Sequence, residues 1–156
     1  MGFPYADLRA FLSDLEAAGE LRRIACPVDA RLEITEIVDR VVKSGGPALL
    51  FERVVGAVHP VAINLFGSER RMLRALGVAD YREIADRITA LVQPDMPAGL
   101  LAKLKRVPEL MQMAGYLPRE VRSAPCQEVV QTERFSLNDL PVPLCWPGDG
   151  GRYITA

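Results

Sequence analysis

Histidine is nearly absent. His59 stands alone, in a loop before Pro60, with no cysteine or carboxylate at metal-ligand spacing. A surface loop residue is expected there, and a zinc site is not. The three cysteines, Cys26, Cys126 and Cys145, are odd in number and widely spaced. That pattern fits free thiols in a reducing cytoplasm and not a disulfide framework. Charge bias is missing too: 19 basic and 20 acidic residues leave a net charge of -1. Bulk electrostatics therefore gives no case for nucleic acid or an anionic membrane. Arg70-Arg71 and Lys103, Lys105 and Arg106 lie beside helical apolar positions and read as solvated faces. No apolar run approaches a bilayer span, and the first residues lack a signal-peptide pattern, so a cytoplasmic protein without a transmembrane segment is expected. Neither Gly-x-Gly-x-x-Gly nor Gly-Lys-Ser/Thr occurs, and there is no repeat or low-complexity tract.

What remains is 49% hydrophobic and 25% charged over 156 residues, an ordinary composition for one soluble globular domain with a real core. Pro47 to Val54 is a short apolar run bounded by Gly45-Gly46, too short for a typical helix. Val61, Ile63 and Leu65 alternate with Ala62, Asn64 and Phe66 at the period of a strand. Joined by Val55 to Val58, the two read as a hairpin or as neighbouring strands of one sheet. A further strand is expected over Leu21 to Cys26.

Helical stripes flank this unit. Leu8, Phe11, Leu12 and Leu15 mark a helix over Asp7 to Ala18, stopped by Gly19. Ile34, Ile37, Val38 and Val41 mark another over Leu32 to Lys43, with Asp29 as a cap or turn residue and Glu36 four residues before Arg40. Ser68 caps a short helix closed by Gly77. Asp80 and Glu83 form a capping-box-like pair ahead of Tyr81, Ile84, Ile88 and Leu91. The expected fold is α/β (α+β): a small mixed β-sheet covered by amphipathic helices.

Eight of the twelve prolines follow Gln93, and the texture changes with them. Short helices are expected around Leu100 to Leu104 and over Pro108 to Ala114. Cys126 to Thr132 reads as a strand, and Leu137 to Trp146 as an extended, proline-stiffened crossing segment. Arg152 to Ala156 has the look of a strand just beginning. Residues 1–123 are therefore expected to form an αβ domain, and 124–156 a connector and first strand leading into a further domain.

Few side chains offer chemistry. Gly67-Ser68 gives either a helix cap, the expected role, or N–H groups for a phosphate. Asn64 either satisfies nearby backbone groups or holds a ligand. Cys126 has no base beside it in sequence and reads as a buried or half-buried structural thiol. Cys145-Trp146-Pro147 either lines a pocket or anchors a core or interface. Glu33, Glu36 and Asp39 share one helix, as a solvated face or as paired carboxylates. No complete catalytic constellation emerges from the residues alone.

The blocks Leu8-Arg9-Ala10-Phe11-Leu12, Gly19-Glu20-Leu21, Pro27-Val28-Asp29, Leu32-Glu33-Ile34-Thr35-Glu36-Ile37 and Gly45 to Glu52 occur in an order and spacing that carry a resemblance. Asn64-Leu65-Phe66-Gly67-Ser68, Ala124-Pro125-Cys126-Gln127-Glu128, Leu137-Asn138-Asp139-Leu140-Pro141, Cys145 to Gly151 and Tyr153-Ile154-Thr155 extend it. Together they resemble the N-terminal part of the UbiD family of prenylated-FMN-dependent decarboxylases, 3-octaprenyl-4-hydroxybenzoate carboxy-lyase and its relatives. The resemblance implies reversible, non-oxidative decarboxylation of an aromatic or α,β-unsaturated acid, with prenylated FMN, Mn2+ and K+, in a homo-oligomeric parent enzyme linked to ubiquinone biosynthesis. It also implies that the metal-ligating Asn, the phosphate-binding segment and the Glu-Arg-Glu acid–base network follow the position of Thr155, in a flavin-binding split-barrel domain. No catalytic, cofactor-binding or metal residue is then expected in this chain, which would be inactive alone. The alternative is a non-catalytic binding or assembly module.

Overall fold

The structure is a computed structural model, and it describes residues 4–92, 118, 120–134 and 136–154. The chain divides into two units. One runs to Ala79 and is rejoined by the chain from Glu133; the other spans Asp80–Thr132.

The first unit is built around one strand. Helix α1 is Leu8–Ala17, β1 is Leu21–Ile24, α2 is Glu33–Lys43, β2 is Ala48–Phe51, β3 is Val61–Ile63 and α3 is Glu69–Leu76. β1 pairs parallel with β2, with Leu21 opposite Ala48 and Ile24 opposite Phe51. β2 pairs antiparallel with β3, with Leu49 opposite Ile63 and Phe51 opposite Val61. Among the described residues this gives a mixed three-stranded sheet with β2 in the middle, the small mixed sheet expected from the residues.

The uninterrupted apolar run of β2 has a physical reason: both its faces are covered. Leu49 and Phe51 pack with Val28, Ala30, Ile34 and Val54 beneath α2. Ala48 and Leu50 point the other way and meet Phe11 and Leu15 of α1 and Leu21. Burial of each large side chain stabilises the fold by about 1.5–3 kcal/mol.

The caps follow local chemistry. Asp7 Oδ1 accepts from the Ala10 amide at 2.8 Å. Ser68 Oγ accepts from the Arg71 amide at 3.2 Å, and Gly77 closes α3 in the left-handed region at φ 65°. α2 begins differently. Leu32 takes the N-cap position with φ 68° and offers no side-chain cap. Asp29 does not cap the helix; its Oδ1 accepts from the Arg31 amide at 2.7 Å, closing a turn before it.

The end of the chain departs from the expected pattern. Leu137–Asp139 is a 3-10 turn held by a reciprocal Ser136–Asp139 capping box, so the crossing segment is extended only beyond it. Leu144 then forms a parallel bridge with Arg31. Arg152, Tyr153 and Ile154 adopt no strand. Instead Arg152 Nη2 donates to Asn138 Oδ1 at 3.3 Å.

In the second unit, α4 is Arg82–Val92. Glu83 Oε1 accepts from the Asp80 amide, and Asp80 Oδ1 from the Arg82 amide, so the expected pair does frame the helix start. Of its apolar stripe, Tyr81 and Ile88 are exposed and Ile84 is only half-buried. Where a strand was expected over Cys126 to Thr132, Pro125–Gln127 forms a 3-10 turn, since proline's fixed φ suits a first helical position. Val129 and Val130 lie exposed and unpaired in any sheet. The helices expected around Leu100 to Leu104 and Pro108 to Ala114, with Lys103, Lys105 and Arg106, lie outside the described residues. No helix among the described residues is long and apolar enough to cross a membrane.

Candidate functional site

Three polar constellations stand out in the first unit. The β3–α3 turn holds the first. Asn64, at φ 61°, donates from Nδ2 to the Pro47 carbonyl at 3.0 Å, which ties the turn to the entry of β2. A Cβ on Gly67 would lie 1.7 Å from Asn64 Oδ1, so only glycine fits. Ser68 is the cap already described. The Asn64-to-Ser68 block thus serves the backbone, as the cap and amide readings expected.

Arg71 corrects the reading of Arg70-Arg71 as a solvated pair. Its side chain is only 2% exposed. Nη1 donates to Glu20 Oε2 at 2.9 Å and to the Gly46 carbonyl at 3.3 Å, while Nε is buried without a partner. Arg70 stays exposed and reaches the other oxygen of Glu20 at 3.0 Å. Helical periodicity could not flag this residue, because a charge inside the fold depends on Glu20, which lies on a different connection.

The second constellation joins Tyr5, Asp14 and Arg74. Tyr5 Oη donates to Asp14 Oδ2 at 2.9 Å, and Arg74 Nη1 reaches both carboxylate oxygens at 3.0 and 2.8 Å. The Tyr5 hydroxyl and the Arg74 guanidinium hold the Asp14 carboxyl below the usual carboxylate range. Burial, then the bond to Asp14, pushes the Tyr5 phenol up. These residues fasten α1 to α3 and to the chain before α1.

The third is a groove of about 530 Å³ along the start of α2. It is lined by Arg31 to Glu33, Thr35, Glu36 and Asp39 from the start of α2 and by Cys145, Trp146 and Pro147 from the end of the chain. Cys145-Trp146-Pro147 therefore lines a pocket, one of the two roles open to it. Trp146 is 59% exposed. Thr35 Oγ1 is buried with no hydrogen-bond partner. The carboxylates are engaged: Glu33 Oε2 accepts from the Asp29 amide, Glu36 pairs with Arg40 and Asp39 with Lys43. Asp39 beside Lys43 raises the ammonium's pKa. This is the solvated helix face expected of these residues, now bordering a groove.

Elsewhere the chemistry is sparse. His59 is exposed in its loop. Cys26, Cys126 and Cys145 are free and exposed. For Cys126 this overturns the buried-thiol reading, because the Pro125–Gln127 turn carries it on the surface. Among the described residues no three His, Cys, Asp or Glu side chains come together as a metal site.

Residues 12–88 match the family described as the 3-octaprenyl-4-hydroxybenzoate carboxy-lyase N-terminal domain, and residues 119–156 its Rift-related domain. The chain belongs to the UbiD family. An uncharacterized protein of Aquifex aeolicus (strain VF5) is 45% identical over 157 residues, covering 99% of this chain and 32% of that protein. The fold is similar to that of an evolved dimeric form of the UbiD-class enzyme HmfF from Pelotomaculum thermopropionicum in complex with prFMN. That likeness has a TM-score of 0.69 and 30% identity, over 97% of this chain and 31% of HmfF. HmfF in complex with FMN gives a TM-score of 0.67 at 30% identity, over 96% of this chain and 29% of that one. The chain thus spans about a third of the length of these relatives.

The groove does not suit a flavin nucleotide. A phosphate there would face Glu33, Glu36 and Asp39 with Arg31 as the one wall cation. The Gly67-Ser68 turn is already spent on capping α3.

Proposed function

We propose that this chain is the N-terminal portion of a UbiD-type carboxy-lyase and turns over no substrate by itself. The parent enzyme removes CO2, reversibly and without net oxidation, from an aromatic or α,β-unsaturated carboxylic acid. Prenylated FMN, with Mn2+ and K+, supplies the electronic chemistry in the remainder of the enzyme, where the acid–base residues also lie. Residues 1–123 form the N-terminal domain, and 124–156 lead into the flavin domain. The observation that supports this reading is the likeness to HmfF with prFMN, which takes in nearly the whole chain but under a third of that enzyme.

The role of the chain is then to pack on the flavin domain and help cover its cleft, in the manner of other mobile enclosing elements. Cys126 to Trp146 is the junction. Exposed apolar side chains at Val129, Val130, Leu137 and Trp146 support that assignment, because such groups favour docking over hydration. In the full-length enzyme, Trp146→Ala is expected to lower the melting temperature or the flavin retained through gel filtration. Wild-type values for both would refute the junction. Purified 1–156 is expected to show neither flavin absorbance nor CO2 release from any tested acid, and turnover by it alone would refute the larger reading.

A further inference from the structure

The connection from β1 to α2 contains a strained residue that local sequence does not require. Leu32 has φ 68° and ψ -34°. The Glu33 amide donates to the Arg31 carbonyl at 2.8 Å, so Leu32 is the centre of a γ-turn with positive φ, a rare and strained conformation. Leucine gains nothing from that backbone, unlike glycine or asparagine. Such outliers persist only where surrounding contacts over-determine them.

The contacts that do so come from far along the chain. The Leu32 amide donates to the Leu144 carbonyl at 2.9 Å, and the Leu144 amide donates to the Ala30 carbonyl at 2.9 Å. Locally, Asp29 and Glu33 exchange side-chain bonds with the same turn at 2.7 Å. Those local bonds serve the amides of Arg31 and Asp29 and leave the Leu32 amide to Leu144. Leu144 lies in an extended stretch flanked by Pro143 and by the groove residues Cys145 to Pro147.

We infer that residues 140–147 are a strap latched onto the β1–α2 turn, and that the strained Leu32 is the latch. With the strap seated, residue 32 is held at positive φ and the groove wall Cys145 to Pro147 stands against the first turns of α2. With the strap released, Leu32 relaxes to negative φ and the wall leaves. Seating the strap and straining Leu32 are therefore one event, and anything that pulls on residues after 147 acts on the start of α2.

Amide hydrogen exchange on the full protein tests this, with the Ala48 amide, which donates to the Glu20 carbonyl at 2.8 Å, as internal standard for the sheet. Leu32→Gly removes the penalty of positive φ, while Leu32→Ala removes the same side chain but keeps it. The Leu144 amide is expected to exchange about tenfold more slowly in L32G than in L32A, with Ala48 alike in both. Equal or faster exchange in L32G overturns the latch. Leu144→Pro removes the donor to Ala30; exchange at residue 32 is expected to rise about tenfold while Ala48 stays protected. Retained protection at residue 32 also overturns it. Should L144P fail to fold, the L32G and L32A pair decides by itself.

Discussion

Asn64 and Leu32 are two of the three non-glycine residues at positive φ among the described residues, and their turns hold them there by opposite means. The β3–α3 turn places Asn64 at φ 61° and secures it with that residue's own side chain, which donates to the Pro47 carbonyl at the entry of β2 and occupies the space left by Gly67. The β1–α2 turn places Leu32 at φ 68° and relies on the distant backbone of Leu144. The first is chemically suited to its geometry, since asparagine tolerates the left-handed region. The second is a fold-level constraint imposed on a residue that would rest elsewhere. The first turn is therefore part of the fixed frame, and the second responds to whatever holds the strap.

The largest expected effect lies at the fixed turn. Arg71→Ala removes the buried partner of Glu20 and of the Gly46 carbonyl, and is expected to cost about 3 kcal/mol in urea unfolding. A loss below about 1 kcal/mol, the range of exposed pairs, would mean that Arg71 does not hold the turn to the sheet. Ser68→Ala should cost about 1 kcal/mol, the ordinary value of a helix cap. Asp29→Ala, which loses only a local bond to the Arg31 amide, is expected to cost about 0.5 kcal/mol because Leu144 still holds that turn. A D29A effect exceeding that of S68A would reverse the contrast between the two turns.

The smallest effect concerns acid. Asp14 has a lowered carboxyl pKa in the fold, so its contribution to stability is complete above the ordinary value of 3.8 and is lost as pH falls through the lower, folded value. Asp14→Asn should flatten the unfolding free energy against pH below about 4, with little change of slope at neutral pH. An unchanged acid limb would show that Tyr5 and Arg74 do not bind the charged form.

Much of the frame was legible in the sequence because it rests on neighbours. The short apolar run Pro47 to Val54 announced a strand, which the fold places at Ala48–Phe51, and the helix stops at Gly19 and Gly77 both take positive φ. Asn64 and Ser68 do what amide and hydroxyl groups do near turns. What was not legible depends on partners distant in the chain. Arg71 looked like half of a solvated pair because its partner, Glu20, sits after α1. Asp29 could be read as a cap or a turn residue; it is the turn residue, and nothing nearby reveals that Leu32 opens α2. Cys126 to Thr132 has strand-forming residues, but Pro125 starts a tight turn. The groove joins Thr35 to Trp146, and no pattern in either segment points to the other.

Trp146 is the one tryptophan in these 156 residues, and it stands on the strap beside the start of α2. Its indole is mostly exposed to water in this domain. In the isolated stretch, intrinsic fluorescence therefore reports on a single spot, free of background from the sheet. A blue shift on adding a binding partner would mark that spot as covered, while the four tyrosines would report separately at shorter wavelength.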